Sequence, residues 1–217
     1  MDVYALLSEK NVSSPFRSEW LFASIKLMLG IILVGITTSA RDRLGDAIAG
    51  WIGMIGIVFT LHFGLFHLLS CLWRSRGIDA KPILNWPIAS TSLTEFWGRR
   101  WNLTFRDLTH RFLFKPLSRR IGATYALLVG FLVSGLVHEL AISLPAEGGW
   151  GKPTMFFSLH GIGIVIERCR WGRFVGLGRG LPGRLFCVLS LVIPCGLLFH
   201  GPFVTRVILP FLAFRGF

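Results

Sequence analysis

The sequence predicts an all-α protein: a multi-pass transmembrane helix bundle of about five to six spans, with an amphipathic interfacial helix in one large cytoplasmic loop. Three observations carry that prediction. Hydrophobic residues make up 53% of the 217 residues and charged residues only 16%, with a mean hydropathy of +0.62; soluble domains usually carry roughly a quarter charged residues. Apolar runs recur near the length of about 20 residues that a spanning helix needs. The chain is nonetheless strongly basic, with a net charge of +12, and the basic residues collect between the apolar runs. The same figures exclude a disordered basic tail, which requires low hydrophobicity. A nucleic-acid partner is not expected from a chain this apolar.

Each element follows in order. The opening MDVYALLSEK lacks the basic-then-apolar order of a cleaved signal peptide, so the first apolar run is expected to stay as an anchor. That run is 20–39, with one charge, Lys26, placed to snorkel toward the interface. Residues 47–73 carry no formal charge and are long enough to span with tilt. Residues 121–144 form a third apolar run, which contains His138 and Glu139. Residues 155–166 are short for a straight span. Residues 185–201 contain Pro194, which predicts a kink, and 204–214 are short and broken at Pro210.

The loops give a topology. Loops 1–19, 74–120 and 168–184 fall on one side and hold seventeen of the 23 Lys and Arg. Loops 40–46 and 145–153, on the other side, hold three. The basic side, which includes the N-terminus, is therefore predicted cytoplasmic. Trp20, Trp51, Trp73, Trp150 and Trp171 fall near the predicted membrane boundaries, as an aromatic belt would place them.

Within the large loop, 92–115 reads as one helix. Ser92 and Glu95 fit a capping box, and Pro116 ends the pattern. Trp97, Trp101, Phe105, Leu108 and Phe112 recur at helical spacing, while Arg99, Arg100, Arg106, Asp107, His110 and Arg111 occupy the opposite arc. Asn102 falls at the border. One reading is an interfacial helix against anionic headgroups. The other is a helix that shapes a membrane-level site, its arginines turned to a phosphate-bearing substrate.

His138 and Glu139 are the chemically pointed pair. Ionisable groups at that depth are costly unless paired or wet, which makes them functional candidates. The plainer alternative is a hydrogen-bonded packing histidine. HELAI is not HExxH, because Ile142 stands where the second histidine belongs. His62 and His67, five residues apart, do not share a helix face for a metal and read as packing residues. No G-x-S-x-G occurs, and Cys71, Cys169, Cys187 and Cys195 form no C-x-x-C, so neither a serine nucleophile, a zinc site nor a disulfide framework is indicated. What remains is a lone base in a low-dielectric setting. A neutral imidazole there can take a proton from a hydroxyl as its oxygen attacks an acyl carbonyl, with water excluded.

The segments SLTEFWGRRWNLTFRDL, SGLVHEL and FFSLHGIGIVIE, in that order, resemble the membrane-bound O-acyltransferase family, in its wax synthase-like branch. The resemblance covers about 80–170, taken as the catalytic region of a single membrane domain, 1–217. It implies that His138 is the general base and that Asn102 faces the same tunnel, orienting the acceptor hydroxyl or donating to the oxyanion. It further implies Arg99 and Arg100 near the coenzyme A phosphates, Trp97 and Trp101 beside the substrate, and His160 as a structural or site-lining residue. The implied reaction moves a fatty acyl group directly from acyl-CoA, as co-substrate, to a long-chain alcohol, with no other cofactor and no metal. The N-x-T sequon at Asn102 is read as accidental on a cytoplasmic segment. Family members are usually longer, with extra spans ahead of the matched region, so a homo-oligomer is one expected arrangement. Two alternatives stay open: another acceptor, such as a diacylglycerol, sterol or glycan hydroxyl, or a non-catalytic lipid-binding membrane protein.

Overall fold

A computed structural model describes residues 13–213, and the reading of the first ten residues falls outside them. The fold is all-α, with no strand among the described residues. The chain divides into two compact units, Met1–Leu84 and Asn85–Phe217.

The first unit contains α1 (Arg17–Val58), a π-helical stretch Phe59–Leu65 and α2 (Phe66–Ser75). The polar loop expected at 40–46 is reduced to one non-helical residue, Gly45, with φ 76° and ψ 157°. A left-handed φ of this kind is cheap only for glycine. The helix doubles back there. Thr37 Oγ1 donates to the Ala49 carbonyl at 3.3 Å, and a Cβ on Gly64 would lie 2.6 Å from Leu27 Cα. The two arms therefore pack antiparallel at backbone contact.

Lys26 does not snorkel. Its Nζ donates to His67 Nδ1 at 2.7 Å, and His67 Nε2 donates to Glu19 Oε1 at 3.1 Å. Arg74, itself buried, also pairs with Glu19. Charges inside an apolar unit persist when they satisfy one another this way. Glu19, His67 and Cys71 approach closely enough to suggest a metal site, but Lys26 and Arg74 already engage their donor atoms.

The second unit opens with short pieces: α3 (Leu93–Glu95), π-turn Phe96–Arg100, α4 (Leu103–Thr109), π-turn His110–Phe114 and α5 (Lys115–Ile121). Next come α6 (Ala123–His138), π-turn Glu139–Ser143, α7 (Leu144–Ala146), α8 (Lys152–Arg168), α9 (Arg170–Phe174) and α10 (Gly180–Val192). The chain finishes with α11 (Cys195–Leu198), α12 (Gly201–Phe203), π-turn Val204–Ile208 and α13 (Leu209–Ala213). α6 and α8 pack along their length on small residues: a Cβ on Gly135 would lie 2.6 Å from Thr154 Cα. Leu93, Phe96, Ile164 and Cys187 form one buried cluster beside them, and Ile142, Phe156, Phe157 and Leu198 form another. Pro194 separates α10 from α11, where a kink was expected. Pro210 does not break its segment: the helical backbone runs on from α12 through the π-turn Val204–Ile208 into α13.

Among the described residues, three helical stretches are long and apolar enough to cross a membrane: Arg17–Ser75, Ala123–Ala146 and Gly180–Leu198.

Candidate active site

The site is built from the segment expected to be one amphipathic helix. Its start is as the capping pattern anticipates. Ser92 Oγ accepts the Glu95 N–H at 2.9 Å. Glu95 reaches one residue further back than a capping box requires, accepting the Thr91 N–H at 2.8 Å, and its other oxygen accepts Arg100 Nε at 2.8 Å. The Thr91 N–H holds the Glu95 carboxyl below its ordinary value; partial burial opposes this, and the Arg100 guanidinium adds to the lowering. Buried Glu167, 74 residues on, also caps this turn from outside: its carboxylate accepts the Leu93 N–H at 2.7 Å and the Thr94 N–H at 3.4 Å.

The helix does not continue to 115. Trp101 is extended and Asn102 is left-handed, with φ 41°. Asparagine tolerates that region because its short side chain bonds locally; here Oδ1 accepts the Phe105 N–H at 3.3 Å and starts α4. The break splits the predicted apolar stripe. Trp97, Trp101 and Phe105 turn to a cavity, whereas Leu108 and Phe112 are exposed, Phe112 by 67%. The sequence pattern could not register the break, because the apolar spacing runs straight through it.

His138 ends α6. Its Nδ1 lies 2.7 Å from the Ser134 carbonyl. A carbonyl only accepts, so in the neutral ring Nδ1 carries the proton and Nε2 keeps the lone pair. Phe157 of α8 packs on the ring at 4.3 Å between centroids. The next residue, Glu139, serves another end. It is 8% exposed, and Oε1 accepts the backbone N–H and hydroxyl of Thr154 at 3.1 and 2.8 Å, capping the first turn of α8.

These elements enclose a cavity of about 390 Å³, lined by Trp97, Trp101, Asn102, Phe131, His138 and Phe157 among others. Four residues singled out from sequence thus share one wall system: Trp97, Trp101, Asn102 and His138. The others lie elsewhere. Arg99 is exposed, and Arg100 is engaged by Glu95 and by the carbonyls of Asn85 and Trp86. The arginines on the cavity are Arg106 and Arg168. Arg106 donates to the Gly98 carbonyl at 2.9 Å, which ties α4 back across the break. His160 is 1% exposed and donates from Nδ1 to the Phe156 carbonyl at 2.7 Å. It packs edge-on to Trp97 from behind, at 5.4 Å between centroids.

Arg106 stood on the polar arc of the pattern, so composition hinted at it. Arg168, Glu167 and Phe157 come from α8, more than fifty residues away, and no local signal connects them to 92–102. Chemically, the arrangement offers the imidazoles of His138 and His110, one side-chain amide whose Nδ2 remains a donor, the guanidinium groups of Arg106 and Arg168, and largely apolar walls between them.

An all-helical chain with long apolar helices reads as a membrane protein, here with a histidine on the wall of a largely apolar cavity. Residues 80–159 match the membrane bound O-acyl transferase family. Among curated proteins, the chain is 32% identical over 157 residues to "Probable long-chain-alcohol O-fatty-acyltransferase 3" of Arabidopsis thaliana, covering 68% of this chain and 45% of the relative. It is 39% identical over 130 residues to "Long-chain-alcohol O-fatty-acyltransferase" of Simmondsia chinensis, covering 52% and 37%. It is 33% identical over 214 residues to "Probable long-chain-alcohol O-fatty-acyltransferase 2" of Arabidopsis thaliana, covering 89% and 59%. Residues 80–159 are thus a membrane bound O-acyl transferase region, and the chain around them is similar to long-chain-alcohol O-fatty-acyltransferases. The chain spans about half the length of the curated relatives it matches.

Proposed function

We propose that this chain transfers a fatty acyl group from acyl-CoA to the hydroxyl of a long-chain alcohol, forming a wax-type ester. The observation that carries the reading is the presence of His138 and Asn102 on one largely apolar cavity. His138 Nε2 takes the alcohol proton as the oxygen attacks the thioester carbonyl. Asn102 Nδ2 donates to the oxygen that gains charge. The tetrahedral species collapses, the C–S bond breaks, and the imidazolium returns its proton to the leaving thiolate. The Ser134 carbonyl supports the step, because it accepts from Nδ1 and stabilises the ring in its charged form. Acyl-CoA enters as co-substrate, and no metal or other cofactor is invoked.

Arg106 and Arg168, with Arg99 and Arg100 close in sequence, supply positive charge for an anionic donor. Trp97 and Trp101 form the apolar bed, and His160 keeps Trp97 in place. The reversal at Gly45 supports two crossings by Arg17–Ser75, so five to six spans follow if α8 or Gly201–Ala213 also enters the bilayer. Exposed Leu108 and Phe112 suit a segment lying in the interface, on the basic, cytoplasmic side that includes the N-terminus. A homo-oligomer would supply further helices.

The test is esterification by membranes containing the full chain, labelled acyl-CoA and hexadecanol. His138→Ala is expected to lower the rate by about 10² to 10⁴. Equal ester yields from wild type and variant would remove His138 from the mechanism.

A further inference from the structure

α6 and α8 carry four glycines beside the site: Gly130, Gly135, Gly161 and Gly163. In membrane helices small residues usually let backbones approach. Three of the four are needed for packing, Gly135 against backbone and Gly161 and Gly163 against side chains. A Cβ on Gly135 would lie 2.6 Å from Thr154 Cα, on Gly161 3.1 Å from Phe131 Cβ, and on Gly163 2.7 Å from Leu93 Cδ1. Gly130 differs. A Cβ there would meet nothing within 4 Å, and the residue lies inside a regular helix without a positive φ. Neither packing nor backbone conformation therefore requires glycine at 130, and glycine disfavours a helix interior relative to alanine.

Its setting supplies the reason. Gly130 lines the same cavity as His138, together with Ala126, Leu127, Phe131 and Ser134 of α6. Gly130, Ser134 and His138 follow at four-residue spacing on one face, and each is hydrogen-bonded to the next. Ser134 Oγ donates to the Gly130 carbonyl at 2.9 Å, and His138 donates to the Ser134 carbonyl. At about 1.5 Å of rise per residue, Gly130 lies about 12 Å along the helix from His138. Beyond Ser134 this face turns apolar toward Leu127 and Ala126.

We infer that Gly130 is a specificity-determining position: its missing side chain keeps open the stretch of cavity that takes the distal part of a long unbranched alkyl chain. The inference rests on the acyl-transfer reading of this cavity and adds the residue that sets chain length. The chain belongs either to the acyl donor or to the alcohol. A methyl group at 130 enters that stretch with no protein neighbour within 4 Å. It therefore acts on the ligand and leaves the helix pair in place.

The experiment compares wild type, Gly130→Ala and Gly130→Leu as full chains in membranes. Substrate pairs are octanoyl-CoA with hexadecanol, palmitoyl-CoA with octanol, and octanoyl-CoA with octanol. In Gly130→Leu, the ratio of long-chain to short-chain ester is expected to fall by about tenfold or more for one of the two mixed pairs, which names the chain that lies on α6. Gly130→Ala should shift the same ratio in the same direction by less, and it is read alone if the leucine variant does not accumulate. An unchanged ratio in the variants overturns the inference, as does an equal fall for all three pairs. If wild type makes no ester, the acyl-transfer reading fails separately. Crosslinking by diazirine-bearing hexadecanol and palmitate then decides the position: labelling reduced by about tenfold in Gly130→Leu supports it, and equal labelling refutes it.

Discussion

Replacing Glu167 should damage the protein through a segment far away in sequence. This side chain is 5% exposed and accepts two backbone N–H groups, from Leu93 at 2.7 Å and Thr94 at 3.4 Å. Leu93 itself is wholly buried, so no water replaces the lost partner. A hydrogen bond to a charged group contributes about 1.5–3 kcal/mol, and a buried donor left without a partner costs about 1–3 kcal/mol. The 2.7 Å bond carries most of that, and the 3.4 Å bond adds a fraction. Glu167→Ala is therefore expected to lose about 2–4 kcal/mol. Glu167→Gln keeps one acceptor oxygen and should lose roughly half as much. Unfolding of the detergent-solubilised full chain, followed by tryptophan emission, measures both. Esterification should fall as well, because the Leu93–Thr94 turn leads directly into Trp97, Trp101 and Asn102. An alanine variant within about 0.5 kcal/mol of wild type would refute the capping role. So would a glutamine variant as unstable as alanine.

Two further outcomes follow from the same geometry. Gly135→Ala places a Cβ 2.6 Å from Thr154 Cα, so α6 and α8 must separate; thermal unfolding should report a loss of about 1–3 kcal/mol, the reverse of the tolerance expected at Gly130. Glu95 has a lowered pKa when folded, so its stabilising contribution is fully present above the ordinary glutamate value. It is lost as pH falls through the lower folded value. An acid titration of unfolding should show that loss in wild type, and Glu95→Gln should flatten it.

The placing of Asn102 beside His138 is implied by the family resemblance alone; the sequence pattern conveys the helical class, the long apolar helices, the cap at Ser92 and the conspicuous position of His138. Each rests on a local or strongly chemical signal. A serine before an apolar run caps a helix whatever lies beyond it, and a histidine deep in an apolar run calls for an explanation. The pattern does not convey the break at Asn102, because Trp97, Trp101 and Phe105 keep helical spacing across it. Nor does it convey which arginines reach the cavity. Arg100 is held by Glu95, five residues earlier, which the spacing does contain, while Arg168 arrives from another helix, which it does not. Lys26 shows the same limit: a lone lysine near the end of a span looks free to reach water until His67 is placed beside it.

The two buried carboxylates have a joint consequence for motion. Glu139 ties down the first turn of α8, and Glu167, near its last turn, ties α8 to Leu93 and Thr94. A rod clamped at both ends cannot slide or tilt without breaking a clamp, so α8 is the fixed reference of the second unit. The compliance that remains belongs to the far side of the cavity. There the run from Leu103 through the His110–Phe114 turn contains no buried side chain and leaves Leu108 and Phe112 uncovered. Local opening of the cavity is therefore expected to begin in the segment that starts at Asn102, against a wall held at both ends.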